Sequence, residues 1–574
     1  MFLKHSDVKG NDGKVYRYYK IVESVREDKT VRHKQLFKLG ALSDEKAEQI
    51  RKILAVVSSP EQALVRLEDV LVEEHIDFLD IYIFILLWKE WSLETVFDEN
   101  SFVQRLVINR CLSPRSKIGA VDWNQGCVLD HITPPKENKF GVYPDLDHIT
   151  LNEESLQKHI AKKIIELGYD TLDAIVYDIT STYFDQSECV LAFRGYSRDH
   201  RSDKLQIVIA LAVTPNGYPF YWRVYKGNTQ DISTVTGFVD DVKRKFGIDK
   251  CLLVFDRGMV SGDNIEYVED ALYKYITAID KNEIAGIGIE SYPAFDQIDE
   301  SNIDHILKDY TSYDKSLRYR EYVINNKRYI LGFDLDRRND ERSCREEKIA
   351  KFTEGIQKLN DELSDASRSR ELEKVKSKVN YRIKRNKLSK IFTASYEEIK
   401  VTKGKKTVRS YRIDLSFNAE EYMKAGAMDG VTCFFTNTDA TIVPANMVIL
   451  QYRQKNIIEE SFQDLKSQIK LRPIRLSRPI RVRAHVTICV LAYLLMNTFY
   501  ERIKKIKDLP GMDDLFDELN KCKINILGVK DGSQKNASIT KMTDLQTKVL
   551  KALGYESIAK SKEIKGILKK LKKM

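Results

Sequence analysis

Two apolar stretches of the chain each run into a carboxylate. DAIVYDITSTYFD, residues 173–185, carries Asp178 where its β-branched run gives out, and KCLLVFDRGM, residues 250–259, ends its run on Asp256. A lone carboxylate is costly to bury, so each must be solvated, paired or held on a cation. Two strands of one sheet that end in Asp bring both acids to a common edge, where a divalent cation keeps both ionised. Donors that are all oxygen favour Mg²⁺ or Mn²⁺ over Zn²⁺. The same positions also read as plain turn formers, a role Asp takes at many strand ends. Asp185 competes with Asp178 but follows Tyr183-Phe184, past the apolar run.

A third acid lies in QYRQKNIIEESFQDLKSQIK, residues 451–470. On a helix turning about 100° per residue, Tyr452, Lys455, Glu459 and Lys466 fall within an arc of about 60°. Ile458, Phe462, Leu465 and Ile469 form a separate apolar stripe beside it. Glu460 lies about 100° from Glu459, so Glu459 is the acid of the polar stripe, and Arg453 lies off it. A glutamate between lysines is either an ordinary solvated ion-pair face or a metal ligand with phosphate contacts on both sides.

Positioning the first two acids requires a sheet. Strands are expected at DAIVYDI, LQIVIALAV, PFYWRVYKG and KCLLVFD, then a helix over about residues 262–273 and a strand at KYITAID. That order fits a mixed α/β sheet flanked by helices. Ahead of it, KVYRYYKIVESVREDKTVRHKQLFKLG alternates around a turn at REDK and reads as a small hairpin or sheet. Residues 43–121 turn helical, and a linker, HITPPKENKFGVYPD, leads to the helix NEESLQKHIAKKIIELG. From 281 to 441, β-like pieces mix with a charged helical stretch at 340–390, read as a large insertion whose charged helices form a solvated antiparallel pair, the alternative being a DNA-facing arm. The basic linker LRPIRLSRPIRVRAH then precedes an apolar helix, VTICVLAYLLMNTFYERI. The expected domains are a β-hairpin or small sheet (1–42), a helical region for DNA-end binding or dimerisation (43–165), two core parts (166–280 and 442–500) around the insertion (281–441), and a basic helical C-terminal region (501–574).

Composition narrows the class. At 43% hydrophobic and 31% charged residues the chain is not globally disordered. No apolar run reaches the roughly 18 residues of a membrane span, and FLDIYIFILLW suits a core helix. The N-terminus lacks a secretory apolar region. Eight scattered cysteines suit a reducing cytosol and argue against a structural zinc. The net charge of +9 is unevenly spread: residues 501–574 hold 18 Lys/Arg against 10 Asp/Glu, and 453–483 hold nine against three. Such clusters suit a polyanion or a merely solubilising surface.

The spacing Tyr-x2-Arg-x3-Glu-x6-Lys, met here by Tyr452, Lys455, Glu459 and Lys466, resembles the signature of bacterial insertion-sequence transposases with an Asp-Asp-Glu triad. VYDITSTYF, GYSRDHRSDKLQIVIALAV, YKGNTQD, VFDRGMVSGDN and RPI…RAHVTICVLAYLL sharpen the resemblance to insertion-sequence type 1634, within the broader type 4 group. It runs from the N-terminal hairpin to about residue 500 and is weakest in the insertion. It implies an RNase H-like core with Asp178, Asp256 and Glu459 as catalytic metal ligands for two Mg²⁺ about 4 Å apart, Mn²⁺ substituting. It further implies DNA contacts from Tyr452, Lys455 and Lys466. Arg453 beside that stripe and Arg201 in SRDHRSDK, with its neighbour His200, are added as candidate DNA contacts. The implied partners are terminal inverted repeats and target DNA, with a homodimer in the synaptic complex, no membrane, and a cytoplasmic, nucleoid-associated location.

Two departures stand out. The family arginine is Lys455, which keeps the charge but loses bidentate geometry. Some relatives flip a base onto an insertion-domain tryptophan, but all four tryptophans here (88, 91, 123 and 222) lie outside 281–441, so a flipped base would stack on an insertion tyrosine or phenylalanine or on another region. Asn228 and Asp231 in GNTQD read as turn formers, and His485 as a structural histidine. The rival functions are a silent DNA-binding regulator and an RNase H-like nuclease without strand transfer.

Overall fold

A computed structural model describes the chain apart from residues 28–29, 59–64, 98–101, 124–125, 133–137, 187, 285, 290–291, 326, 531–534 and 573–574. Half of the expected REDK turn and the Pro-Pro part of the linker at 131–145 therefore lie outside the described residues. The chain forms two compact units, one from Met1–Val142 with Thr498–Met574 and the other from Tyr143–Asn497.

The first unit opens with three antiparallel strands, Phe2–Lys9, Val15–Glu27 and Thr30–Ala41, followed by a helix, Asp44–Val57, capped by Ser43. The apolar run at 78–88 becomes the helix Leu79–Glu90, buried on almost every side, with Phe84 against Phe499 and Phe516.

Two expectations are corrected here. The region from 43 to 165 is not wholly helical, because Val70–Asp77 is a strand. The C-terminal region is not wholly helical either, because Lys523–Val529 and Lys535–Ile539 pair with that strand in one antiparallel sheet. KINILGV alternates buried and half-buried residues, the two-residue period of a strand, which the surrounding lysines obscure. Arg502 pairs with Glu90, and Tyr82 Oη donates to Glu563 at 2.6 Å, so the C-terminal region is built into this unit.

The second unit is organised on nine strands. In chain order they are β1 (Ala174–Tyr183), β2 (Gln206–Val213), β3 (Pro219–Lys226), β4 (Leu252–Phe255), β5 (Lys274–Ile279), β6 (Thr311–Ser312), β7 (Leu317–Ile324), β8 (Lys327–Asp334) and β9 (Val431–Thr436). Their order across the sheet is β6-β7-β8-β9-β5-β4-β1-β2-β3. β1, β2 and β3 form an antiparallel meander, while β4 and β5 run parallel to β1. β2 is buried at all eight positions, as its unbroken apolar sequence requires. Helices α1 (Glu153–Glu166), α2 (Val235–Phe246) and α3 (Gly262–Asp270) pack around this half of the sheet.

The stretch expected as an insertion supplies β6–β9, which continue the sheet beyond β5. Between β8 and β9 it carries α4 (Leu335–Ser364), α5 (Leu372–Arg385) and a ribbon of Phe392–Lys403 with Lys406–Phe417. The charged helices are antiparallel, Arg382 Nη1 reaching the Gly355 carbonyl and Lys378 lying opposite Glu362. They are not simply solvated: Phe352, Ile356, Leu359, Val379 and Ile383 bury a common face with Phe392, Tyr411 and Ile413 of the ribbon.

The expected helix at 451–470 divides into α6 (Ala445–Arg453) and α7 (Asn456–Ser467). Gln454 and Lys455 at the break keep right-handed helical dihedrals, so the polar stripe persists across it. α8 (Pro479–Ile503) corrects the expectation of no span-length segment: by length and composition it could cross a membrane, but 89% of its apolar window is buried in the protein. Within this unit Trp222 Nε1 donates to Thr487 Oγ1 at 2.9 Å and fastens the helix to β3.

Candidate active site

Parallel pairing of β1 with β4 sets Tyr177 opposite Phe255, so the next residue of each strand, Asp178 and Asp256, stands side by side. Asp256 follows β4 directly. Asp178 lies inside β1 rather than at its end, since the strand continues through Thr180, Ser181 and Thr182, all buried. Backbone N–H of Ile179 donates to Asp178 Oδ1 at 2.7 Å. Burial raises the Asp178 carboxyl to about 7, and neighbouring Asp256 adds to the rise; the Ile179 N–H, Lys455 and Arg198 oppose it.

Helix α7 brings the third acid. Ile458, Phe462 and Leu465 bury its apolar stripe, and Ser461 Oγ shares a hydrogen bond with Tyr493 Oη of α8 at 2.7 Å. That seating turns the polar stripe toward β1 and β4. Lys455 Nζ then donates to Asp256 Oδ1 at 3.0 Å and lies 3.1 Å from Glu459 Oε1, linking the two acids. Burial disfavours the Lys455 ammonium, yet Tyr452, Asp256 and Asp178 together hold its pKa above the usual lysine value. Tyr452 Oη approaches Asp256 Oδ1 at 3.4 Å, and burial, with Asp256, pushes the phenol up to about 12. Glu459 is 58% exposed at its side chain, and Glu460 takes no part in these contacts.

The donors fit a hard divalent cation in kind. All are carboxylates, one resists ionisation as it stands, and the other two already share the positive charge of Lys455. Among the described residues no three or more His, Cys, Asp or Glu side chains are gathered closely enough to hold a metal ion. The acids gather around an ammonium instead.

Lys466, at the far end of the stripe, donates to Thr180 Oγ1 at 2.7 Å and to Asp199 Oδ1 at 2.9 Å. Burial lowers its pKa, and Arg472 and Arg198 lower it further, against the pull of Asp199. The remaining candidates are engaged elsewhere. Arg453 pairs with Asp314 at 2.9 Å and Asp334 at 3.4 Å, over the Tyr313 ring. Arg201 grips Asp203 with two hydrogen bonds and stacks on Tyr183, while His200 is exposed. His485 Nε2 lies 3.0 Å from the Leu471 carbonyl, a structural contact. Asp185 lies 3.4 Å from Arg475, away from the acids described above.

The same SRDHRSDK segment places a second arginine nearer the acids. Arg198, not Arg201, acts on the Asp178 carboxyl; its backbone N–H donates to Ser181 Oγ at 2.9 Å and its guanidinium pairs with Asp231. Asp231 is therefore more than a turn former. The signal for this loop is a pair of glycines: a Cβ on Gly227 would meet the Gln206 carbonyl oxygen at 2.0 Å, and one on Gly195 the Gly227 oxygen at 2.2 Å. Gln206 Nε2 donates to the Tyr196 and Gly227 carbonyls, closing the base of the loop. Buried Asn264 likewise ties Met259 to Ile232, fixing the turn after Asp256 against the GNTQD segment.

A family described as the transposase DDE domain matches residues 173–495. The N-terminal domain of the IS1634 family transposases matches residues 3–62. No curated protein matches the chain.

Proposed function

The chain belongs to the DDE transposases of the IS1634 type, and from that premise we propose that it cuts DNA at the terminal inverted repeats of its own element and joins the freed ends to a target. The observation that carries this reading is the in-register parallel pairing that sets Asp178 beside Asp256, with Glu459 linked to Asp256 through Lys455.

Asp178, Asp256 and Glu459 are the residues that would hold divalent magnesium, or manganese in its place. Such an ion supplies Lewis-acid charge for the attacking and the departing oxygen of a phosphodiester. The chain's own part is to position. β1 holds the Asp178 backbone and β4 runs directly into that of Asp256, two adjacent parallel strands with neighbours on both sides in the nine-stranded sheet. Helix α7 presents the third acid together with Lys455, whose ammonium now bridges Asp256 and Glu459 and would turn to a DNA phosphate once a cation takes up those acids. Tyr452, half-buried against Phe434, offers its hydroxyl on the same side. The basic segments at 453–483 and 501–574 supply sequence-independent attraction for DNA. Synapsis of two ends calls for two copies of the chain, acting in the cytoplasm on the nucleoid.

The test is incubation of the purified protein with a labelled element end and a supercoiled plasmid in Mg²⁺, beside Asp178→Asn, Asp256→Asn and Glu459→Gln. Cleavage and joining by wild type, both lost in each variant, is the expected result. Binding without cleavage by wild type would favour a silent regulator, and cleavage without joining a plain nuclease.

A further inference from the structure

Asp199 is a deeply buried carboxylate in the loop after β1. Its side chain is 3% exposed, yet its Oδ1 receives both Lys466 Nζ at 2.9 Å and Arg472 Nη1 at 2.5 Å. Its Oδ2 is buried without a hydrogen-bond partner among the described residues. A carboxylate kept in such a place is held by its charge against the two cations rather than by filled hydrogen-bonding capacity.

Exposure separates the members of this cluster: Asp199 is 3% exposed, Lys466 11% and Arg472 34%, so the cations, Arg472 above all, are the members that solvent reaches. They carry two positive charges against one negative charge, because nearby Arg198 is already balanced by Asp231. Lys466 also donates to Thr180, two residues beyond Asp178 and on the same face of β1. Arg472 sits on a segment pinned to the end of that strand, with Ile474 N–H donating to the Tyr183 carbonyl at 3.0 Å and Asp185 N–H to the Ile474 carbonyl at 3.1 Å.

Resting on the reading of the chain as a DNA-cutting enzyme, we infer that Asp199 is a positioning residue that holds Lys466 and Arg472 as a two-cation clamp for a backbone phosphate beside Asp178. Arg472 thereby becomes a DNA contact, and its planar guanidinium supplies bidentate phosphate geometry that Lys455 lacks. The opposite arrangement, a carboxylate masking the cations from DNA, would place Asp199 outermost.

The test is anisotropy binding of the full-length protein to a fluorescein-labelled mixed-sequence duplex of about 30 base pairs over about 50–300 mM KCl. Wild type is compared with Arg472→Gln, Lys466→Gln, Asp199→Asn and Asp199→Asn/Arg472→Gln, with thermal melts as the check on folding. Loss of one phosphate contact makes the slope of log K against log salt shallower by about 0.9, the result expected for Arg472→Gln. Affinity falls roughly tenfold with it. Asp199→Asn makes the slope shallower by up to about 1.8, and its effect shrinks in the Arg472→Gln background. A purely structural role would change the melting temperature and leave the slope alone. Tighter binding by Asp199→Asn, or a wild-type slope in Arg472→Gln and Lys466→Gln, overturns the clamp. Should Asp199→Asn fail to fold, those two variants decide it. Failure of wild type to bind, or to respond to salt, instead overturns the DNA reading beneath it.

Discussion

Asp178 carries the sharpest residue-scale consequence. Its carboxyl titrates near 7 in the metal-free fold, above the free-aspartate value near 4, because burial and Asp256 disfavour its charge. A raised folded-state value means that stability is fully present at low pH and is lost as pH climbs through about 7. In chelator-treated protein, wild type should therefore lose stability relative to Asp178→Asn between about pH 4 and pH 8. The loss is at most about 4 kcal/mol, from three units at about 1.4 kcal/mol each. Thermal melts across that range check it, and Mg²⁺ at pH 8 should restore wild type but not the variant. Parallel pH curves for the two proteins would show that Asp178 ionises without cost.

At the scale of elements, the acids depend on how strands and loops approach one another. Gly227 and Gly195 let three backbones meet at the foot of the loop that carries Arg198 and Asp199. Gly227→Ala places a methyl against the Gln206 carbonyl, so the backbone must move, at about 2–3 kcal/mol. Denaturant melts should register that loss, and salt-dependent DNA binding should weaken with it. Phe462 sets the roll of α7; Phe462→Ala opens a cavity costing about 3–4 kcal/mol. Cleavage should fall more steeply than DNA binding, because Glu459 and Lys455 move with the helix. Equal losses in both assays would mean that the helix face does not set the acids.

At the scale of the whole molecule, the C-terminal region answers differently from a basic tail. Lys523–Val529 pairs along its length with Val70–Asp77, and Glu563 receives Tyr82 and Lys89. Deleting residues from 512 onward should collapse the unit formed by Met1–Val142 and Thr498–Met574 and expose its core. The measurable signs are loss of a cooperative melting transition for that unit and aggregation of the truncated protein. A well-folded truncation that lost only DNA affinity would restore the picture of an appended arm.

Local pattern was enough for the strands around Asp178 and Asp256, because a buried strand needs a β-branched run whatever lies beside it. Helical period alone likewise separates the faces of Glu459 and Glu460, and it is Glu459 that meets Lys455. The C-terminal strands were hidden because lysine content masked a two-residue alternation whose partner lies some 450 residues away. Arg198, Asp199 and Arg472 were equally illegible: their contacts join a loop after β1, a helix and the segment beyond it. Sequence determined which residues have a polar face and a buried one, a matter of local period. Only the tertiary structure decided which charges meet, because pairing across long separations is fixed by sheet register and helix roll.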